Sequence, residues 1–523
     1  MEKTPKNNGE YYFEPAASEW RSSVLKNREK FFNMSLWGQT AAKVRTFFGM
    51  PIDCPIVLTG HQPVFFYPGI WAKCLAASQL AQSVAGIPYH LITDTALAPE
   101  FNHFVPEVDE NGRVRRKQID FFLTKDMKVK ERTLPYAFLP APEREALEKI
   151  FLDSISYGPS SVKRSTQYFS RKLLSGLKDG NNWNQFHSHA LDLLDRITGD
   201  KLEKLEGTRI WTSEPFVDFF VYWLTNMAEL NKTYNDSLDE YRKKNGITHE
   251  IEPMPNLKFE DWYFEMPFWG TAHAHSRGTI WAKMDHKDLI LKVKGVEGHH
   301  QFHLNNLKNE LVVSPFKIWP KALPQTLFLR MYLCDFFIHG IGGSVYEEVG
   351  NIFFKKITMV DPPAYGVVSA TYWVDFKEND ESNVILDYQK VLETWKRALE
   401  HNPEYVFTRE SDWKRDLPGF LHSRFEHCLK NEGLKMLADE KKGFIDALKD
   451  PAKRAEAAER IKEINAELQQ GCSEVMRAIE KGLFDVQTVK ERQDVLTFRE
   501  YPFFCFEEPV FHEMKEKIRQ ALV

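Results

Sequence analysis

The chain lacks the features that mark a secreted or membrane-spanning protein. It has no run of about 18 uninterrupted apolar residues, the length that spans a bilayer. Its most apolar stretch, residues 216–230, is interrupted by Asp218, Asn226 and Glu229. The first residues, MEKTPKNNGEYYF, have neither the apolar segment nor the cleavage site of a secretory signal. We therefore expect a soluble, cytoplasmic protein without a membrane partner.

Paired cysteines and an excess of positive charge are also missing. No two cysteines stand in a CxxC pair, so neither a disulfide framework nor a cysteine zinc site is predicted. A formal net charge of −5 on 523 residues disfavours a general electrostatic attraction to nucleic acid. A small-molecule substrate is the better expectation. The six cysteines are Cys54, Cys74, Cys334, Cys428, Cys472 and Cys505.

The composition does contain the material for a large core, since 43% of the residues are hydrophobic and 13% are aromatic. A single core usually stops growing at about 250–300 residues, so we expect a main domain, residues 1–377, with attached parts. Residues 378–491 carry no strand pattern and are rich in Lys, Glu, Ala and Leu. Their apolar residues recur at helical spacing, which predicts a helical hairpin or coiled coil that turns near Asp450-Pro451. We assign this packing element no chemistry.

The last segment, residues 492–523, is predicted to return to the main domain. Its stretch REYPFFCF, residues 499–506, is too aromatic to remain in water.

A β-α-β unit begins the main domain. The strand-like run Pro55–Leu58 leads into a turn-rich loop, a helix from Ile70 to about Ala85, and a second apolar run, Tyr89–Ile92. We therefore predict an α/β fold with a doubly wound sheet. Parallel pairing places the carboxyl ends of both strands on one edge, where open α/β sheets bind ligands.

Further strands are predicted at four places, and one long helix is predicted between the first two of them. Ser213 is positioned to cap that helix, and Gly246 to end it. The predicted strands are Arg209–Thr212, Leu289–Val293, Leu311–Val313 and Gly366–Ser369.

The loop after the first strand is the first candidate site. Thr59, Gly60, His61 and Gln62 precede a helix N-terminus, where the helix dipole favours an anion such as a phosphate or carboxylate. His61 can donate a hydrogen bond or move a proton, Gln62 can orient, and Lys73 lies about one turn into the helix as a countercharge. The alternative is structural: the loop residues shape a turn, and His61 is a satisfied core histidine.

The second candidate lies where two helices are predicted to meet. One helix is predicted to start after Pro324 and to end at Gly340. The next is predicted to begin at Ser344, because Ser344 and Glu347 match the S-x-x-E capping box.

The glycines between these predicted helices suggest a ligand turn. Gly340, Gly342 and Gly343 permit close backbone approach and can turn N–H groups toward an anion. Arg330 and His339 stand in apolar surroundings, where an unpaired charge is costly, and this favours ligand contact. The alternative is a plain helix-to-helix turn with a glycine cap.

The third candidate follows the second strand. Asp94 at a strand end is well placed to meet a hydroxyl or an amine, and His103 can neighbour it. Alternatively, Asp94 caps the next turn.

We predict no metal site. His273 and His275, like His299, His300 and His303, have no acidic or cysteine partner at a metal-binding spacing. Exposed loop histidines explain them.

Taken in order, these segments resemble the cysteine-adding enzymes of bacillithiol synthesis. The family's T-G-Q-Q motif is similar to Thr59–Gln62, with His61 in place of the first glutamine. Its acidic, histidine-containing segment resembles residues 94–103, and its glycine-rich G-G-P-G-E turn resembles residues 340–347, with Ser344 in place of the proline. Its P-P…S-A-T stretch resembles residues 362–371. Residues 59–81 alone are also similar to the WbqC-like proteins of polysaccharide loci.

The first resemblance implies a Rossmann-like, nucleotidyltransferase-type core with a coiled-coil subdomain, and a homodimer. It implies a ligase that joins cysteine or another small amine to a sugar-malate or carboxylate compound. His61, Asp94, His103 and Arg330 would be catalytic, with Asp94 handling the amine proton and Arg330 pairing with a carboxylate. Whether ATP or ADP takes part stays open. A rival reading is a non-catalytic nucleotide- or sugar-binding scaffold that dimerises through its helices. The ligand-binding residues would be Thr59, Gly60, Gln62, Lys73, His339, Gly340, Gly342, Gly343, Ser344 and Glu347.

Overall fold

The structure, a computed structural model, describes most of the chain and divides it into two compact units. The first unit comprises residues 1–107, 116–375 and 498–523, and the second comprises residues 108–115 and 376–497. The described residues are 3–96, 102–108, 114–120, 137, 139–141, 143–157, 160–178, 181–248, 254–271, 277–375, 389–417 and 419–523.

The strands, in chain order, are β1 (Glu10–Glu14), β2 (Ile56–His61), β3 (Ile87–Ile92), β4 (Asn102–Val108), β5 (Val114–Asp120), β6 (Glu203–Glu206), β7 (Phe259–Glu260), β8 (Tyr263–Thr271), β9 (Arg277–Asp285), β10 (Asp288–Val293), β11 (His300–His303), β12 (Lys317–Pro320), β13 (Phe336–His339) and β14 (Gly366–Thr371). The helices up to residue 358 are α1 (Trp20–Phe31), α2 (Ala41–Phe48), α3 (Pro68–Ser83), α4 (Arg144–Tyr157), α5 (Ser160–Gly176), α6 (Trp183–Thr198), α7 (Gly207–Trp211), α8 (Glu214–Thr225), α9 (Met227–Asn245), α10 (Leu307–Val313), α11 (Ala322–Phe328) and α12 (Ile341–Thr358). The later helices are α13 (Gln389–His401), α14 (Tyr405–Thr408), α15 (Glu410–Asp416), α16 (Gly419–Leu429), α17 (Glu432–Ala447), α18 (Arg454–Gly471), α19 (Ser473–Leu496) and α20 (Glu508–Ala521).

The main sheet has the order β1-β14-β13-β2-β3-β6. Strand β1 is antiparallel to β14, and the other neighbours pair in parallel. Numbered along the chain, the five parallel strands lie in the order 3-2-1-4-5, so the winding direction reverses between β2 and β13. Ile338 pairs with Thr59, which places His339 beside Gly60 at the carboxyl edge. This reversal point is where ligands bind in open parallel sheets.

Helix α3 fixes the shape of this edge. It packs against β2, β3, β13 and β14, and every residue from Pro68 to Ala81 is buried. Pro68 stands in the first turn, where its missing N–H costs nothing. The buried polar side chains of Ser78 and Gln79 in α3 both donate hydrogen bonds to Asp200, at 3.0 and 2.9 Å. Lys73 is the only residue of α3 with a charged side chain.

A second sheet, of order β11-β10-β9-β8-β12 with β7 beside β8, is inserted between β6 and β13. The predicted strand Leu289–Val293 belongs to this antiparallel sheet as part of β10. One face contributes Met266, Ile280 and Leu291 to the same hydrophobic core as α8 and β2.

Two of the predicted strands are helical, and both predictions were wrong. Residues 209–211 lie in α7, and the strand beside it is β6, whose sequence EKLE carries little apolar signal. Residues 311–313 end α10, where Val313 is 81% exposed. Short β-branched runs do not distinguish a strand from a short helix.

The prediction between Pro324 and Ser344 was also wrong. The chain forms α11, a π-helical turn at Leu329–Leu333, and then the central strand β13. All four residues of β13 are buried, and a fully apolar run of this length looks the same in a buried helix. Helix α12 begins at Ile341, with Gly340 at its N-cap, so Ser344 does not cap it.

The long helix expected after Ser213 is two helices, α8 and α9, separated at Asn226. The Ser213 side chain accepts a hydrogen bond from the Phe216 N–H. Gly246 ends α9 in the left-handed region, with φ of 65°. Both ends therefore follow the capping signals in the sequence.

The residues after 497 pack on the first unit. The Phe503 N–H donates to the Phe66 carbonyl at 2.7 Å, and the rings of Phe503 and Phe504 contact Phe65. Helix α20 packs on α3. The aromatic stretch is therefore covered by the main core.

The described helices of the second unit are α13 to α19. Helices α17 and α18 pack together and flank Asp450-Pro451. Buried residues of α13, α15, α16 and α19, including Trp395, Trp413 and Phe425, form its own core. Residues 376–388, where the predicted helical part begins, lie outside the described residues. No helix in the described ranges is long and apolar enough to cross a membrane.

Candidate functional site at the carboxyl edge of the main sheet

Lys73 is the most unusual group at the reversal point. Its side chain is 5% exposed, and its ammonium donates one hydrogen bond, to the Gly60 carbonyl at 2.8 Å. Within the described residues it forms no ion pair. Burial lowers the pKa of Lys73 to about 8. An ammonium has three donors, so two remain for a ligand.

Lys73 contacts the ends of both strands that meet at the reversal. Its carbonyl partner, Gly60, is in β2, and a Cβ placed on Gly340 would lie 3.6 Å from the Lys73 Cδ. Gly340 is the N-cap of the 18-residue helix α12, whose N-terminal end carries partial positive charge. A helix end and a buried ammonium thus converge on one place.

Three histidines surround the ring of Phe66, just after β2. The ring centroids of His61, His90 and His187 lie 5.5, 5.4 and 5.1 Å from that of Phe66. Burial lowers the pKa of all three imidazoles, and the charge of Lys73 lowers it further for His61 and His90. They are therefore neutral at pH 7.

The half-buried His61 is the member of this group at the end of β2. Its Nδ1 lies 3.1 Å from the Gln62 carbonyl. If Nδ1 carries the proton, the hydrogen bond fixes that tautomer and leaves Nε2 as a proton acceptor. Gln62 itself is exposed. His61 can accept a proton from a nucleophile that is held near Lys73.

The glycines of α12 leave its first turn accessible. The N–H groups of Gly343 and Ser344 bond back to the Gly340 carbonyl. A Cβ on Gly342 would meet nothing within 4 Å, whereas one on Gly343 would lie 2.9 Å from His339 Nδ1. Gly342 therefore faces open space, and Gly343 is needed for the close approach of His339.

A buried ion-pair network lies at the end of β13, the strand beside β2. Its members are Arg330, His339 and Glu347. The Glu347 side chain is fully buried; it pairs with Arg330 Nη1 and lies 3.1 Å from His339 Nε2. Arg330 also donates to Asn351 at 2.9 Å and to the Pro363 carbonyl. Burial by itself raises the pKa of Glu347, but Arg330 and His339 lower it to about 2. The carboxylate that Arg330 pairs with thus belongs to this chain.

Asp94 is buried at the end of β3 and holds the start of α7. It accepts hydrogen bonds from the Thr208 N–H and hydroxyl, at 2.8 and 2.6 Å, and from Asn184 at 2.8 Å. Burial raises the pKa of Asp94, although these hydrogen bonds oppose the shift. These hydrogen bonds join Asp94 to residues 90 and 114 positions away, and not to the next turn along the chain that the alternative named.

The remaining predicted residues also have partners in this chain. Thr59 is fully buried and donates to the Ile338 carbonyl at 2.8 Å, which joins β2 to β13. The lack of a side chain at Gly60 leaves room for the side chain of Leu91, since a Cβ on residue 60 would lie 3.0 Å from the Leu91 Cβ. His103 is in β4, and its ring contacts Phe65 and Phe504.

Arg277 is a site residue that the sequence did not reveal. It begins β9 in the antiparallel sheet, yet its Nη1 donates to the Thr95 carbonyl at 2.7 Å, next to Asp94. Its guanidinium lies 4.7 Å from the ring centroid of Trp269, and burial lowers its pKa to about 10. Its separation of 182 residues from Thr95 leaves no local sequence signal. His90 and His187 were missed for the same reason.

No metal cluster is found at this edge among the described residues, and a cavity on the antiparallel sheet lies apart from it. In the part of the chain that the structure describes, no group of three or more His, Cys, Asp or Glu could hold a metal. A cavity of about 470 Å³ lies on the antiparallel sheet, lined by Lys258, Trp281 and Lys292 among others. It contains none of the residues selected from the sequence. His273 and His275 lie outside the described residues.

No family model matches the chain, and no curated protein matches it. The function therefore has to be inferred from the geometry of Lys73, His61 and the first turn of α12.

Proposed function

We propose that this protein is an enzyme that joins cysteine or another small amine to a carboxylate compound such as a sugar-malate. The reaction would take place at the carboxyl edge between β2 and β13. The observation that carries the proposal is Lys73, a buried ammonium with one carbonyl partner at the reversal of the strand order. Such a charge costs folding energy, which an anionic ligand would offset.

The topology supports a Rossmann-like core. The strand order 3-2-1-4-5 is that of the doubly wound dinucleotide-binding folds, whose ligands lie at the reversal point. Here the N-terminus of α12 and Lys73 would hold the phosphate or carboxylate, and Arg277 adds a second cation near the end of β3.

In the proposed reaction, a proton is transferred beside a bound anion at the carboxyl edge of the main sheet. Joining an amine to a carboxyl group forms a C–N bond and breaks a C–O bond of the carboxyl group, whose oxygen leaves as water or, after activation, as phosphate, and the amine must lose a proton as it attacks. Burial and the charge of Lys73 lower the pKa of the free His61 to about 3, so His61 would accept that proton through Nε2 only once the bound anion offsets the charge of Lys73; Lys73 would hold the carboxylate or an activating phosphate. Asp94 and Arg330 are placed in structural roles, since their hydrogen-bonding partners come from this chain.

A ligand screen tests the binding half of the proposal. Melting temperatures would be measured with ATP, ADP, cysteine, malate, citrate and amino-sugar malates, because a ligand that binds only the folded state raises the melting temperature. We expect an anionic member to stabilise the wild-type protein and not Lys73→Met. Lys204→Met is the matched control, since Lys204 of β6 is ion-paired to Asp195 of α6, and this variant should keep ligand binding.

Turnover tests the catalytic half. The binding compounds would be incubated with cysteine, with and without ATP, and the mixture searched by mass spectrometry for the condensed product. Product that disappears in His61→Ala, while binding persists, would support the enzyme. Binding without any product would favour the scaffold alternative, and an unresponsive melting temperature across the panel would refute both.

A further inference from the structure

Two cysteines meet in the second unit, although the sequence separates them by 44 positions. Cys428 is next to the last residue of α16, and Cys472 stands between α18 and α19. Their Sγ atoms are 2.9 Å apart. Both are buried in the core of this unit, at 6% and 3% exposure.

The distance is too short for an ordinary contact between two thiols. A disulfide bond is about 2.05 Å long, so the sulfurs need to approach by only about 0.9 Å more. A small cavity of about 10 Å³, lined by Leu399, Val406 and Val475, adjoins Cys472. The Cys472 side chain therefore has room to adjust its torsion angles without displacing its neighbours.

We propose that Cys428 and Cys472 are an oxidation site that forms a reversible intramolecular disulfide, with a low-molecular-weight disulfide as the oxidant. The Cys428 thiolate attacks one sulfur of the oxidant, and the first small thiol leaves with the proton. The Cys472 thiolate then attacks the Cys428 sulfur and expels the second small thiol. Two protein thiols are oxidised and one small disulfide is reduced to two thiols, so atoms and electrons balance.

The electrostatics fit this order of attack. Hydrogen bonding to Cys472 lowers the pKa of Cys428, despite opposition from burial, whereas the same bond and burial raise the pKa of Cys472. Cys428 is thus the readier thiolate, and the thiolate is the nucleophile in disulfide exchange. Both residues lie at helix ends, where local opening is easiest and can admit the oxidant.

The bond would close the base of the α17–α18 hairpin. Cys428 lies just before this hairpin and Cys472 just after it. A cross-link around a loop of this length restricts the unfolded chain and so stabilises the folded one. We expect the melting temperature to rise by about 10 °C on oxidation.

The test uses the full chain with oxidised glutathione as the probe. The protein would be treated, quenched with an alkylating reagent and digested without reductant. The expected result is a peptide pair that joins Cys428 to Cys472, loss of two alkylation sites, and a rise in melting temperature that dithiothreitol reverses. Cys54→Ser is the matched control, because Cys54 is an unpaired, half-buried cysteine and its loss should change none of these results.

Glutathione adducts without the linked peptide would overturn the proposal, as would full alkylation of both cysteines after oxidation. Cys428→Ser and Cys472→Ser should each abolish the rise in melting temperature. Because the peptide map uses the wild-type protein, it decides the question even if a variant folds poorly.

Discussion

Lys73, in helix α3, and Arg330, in the π-helical turn before β13, are two buried cations of the first unit, and they have opposite surroundings. Arg330 donates to Glu347, Asn351 and a backbone carbonyl. Lys73 has a single carbonyl partner and a pKa lowered to about 8. Among the described residues, the chain supplies the counterion of Arg330, although the Arg330 Nε has no hydrogen-bond partner, whereas it supplies no counterion for Lys73. A buried charge indicates a binding site only when the chain itself does not satisfy it.

Removing the carboxylate from the ion-pair network should have the largest effect. Glu347→Ala leaves Arg330 buried without its counterion, and we expect the free energy of unfolding to fall by about 3–5 kcal/mol. Urea denaturation measures it. Glu348→Ala is the neighbouring control, since its half-buried carboxylate lies 3.9 Å from Lys244, and it should lose less than about 1 kcal/mol.

The pH dependence of stability sharpens this prediction. The pKa of Glu347 is lowered in the folded protein from its ordinary value of 4.5 to about 2. Its contribution is therefore fully present above the unfolded pKa and is lost as the pH falls through the folded pKa. A Glu347→Ala protein that was as stable as wild type would show that the network is dispensable.

The opposite result is expected at Lys73. Lys73→Met keeps the length of the side chain and removes an incompletely satisfied charge, so the free energy of unfolding should stay level or rise by about 1–2 kcal/mol. Affinity for the anionic ligand should fall by about 100-fold, because a charged hydrogen bond is lost. Calorimetric titration and urea denaturation of one preparation measure both. If Lys73→Met lowered the free energy of unfolding and left the affinity for the anionic ligand unchanged, Lys73 would be a structural cation like Arg330.

Asp94 tests whether a strand-end carboxylate is structural. Asp94→Ala removes the acceptor of two hydrogen bonds from Thr208 at the start of α7 and of one from Asn184 in α6, and we expect a loss of about 2 kcal/mol in the free energy of unfolding. Ligand affinity should be unchanged. Asp53→Ala, at an exposed position, is the control. If affinity instead falls tenfold at constant stability, Asp94 contacts the ligand.

The smallest expected effect is the pH dependence of anion binding. Because the pKa of free Lys73 is about 8 and a bound anion raises it, affinity should fall as the pH rises above about 8, by up to tenfold per pH unit. Conversely, the stability of the free protein should increase between pH 8 and the ordinary lysine pKa of 10.5. Both trends should be absent in Lys73→Met, which identifies the group responsible.

Local patterns predicted the elements that carry their own signals. The β-α-β unit from β2 to β3 has a buried apolar run, a turn-rich loop and a proline at the start of α3, and the ends of α8 and α9 follow Ser213 and Gly246. The strand β6 and the strand β13 were missed for opposite reasons. Strand β6 is polar because it lies at an edge, while β13 is uniformly apolar because it is buried on both faces.

The candidate site was predicted only in part. The sequence selected His61 after a predicted strand and Lys73 in the helix that follows, but it also selected Asp94 and Arg330 as catalytic and Glu347 as ligand-binding. Their partners are far along the chain: Arg330 pairs across 17 residues and Asp94 across 114. Whether a polar side chain is satisfied depends on such contacts, which no local pattern records.

The sequence by itself determined the α/β character, the helical texture after residue 389, and a turn-rich loop before α3, although Thr59, Gly60 and His61, which were predicted in that loop, are the last residues of β2. Those properties depend on apolar periodicity and on turn-forming residues, which act over a few positions. The tertiary structure alone decided that β13 lies beside β2, that Arg277 reaches Thr95, and that Cys428 meets Cys472. These contacts depend on how buried surfaces pack across long separations in the chain, and the packing decides which charges and thiols remain available for chemistry.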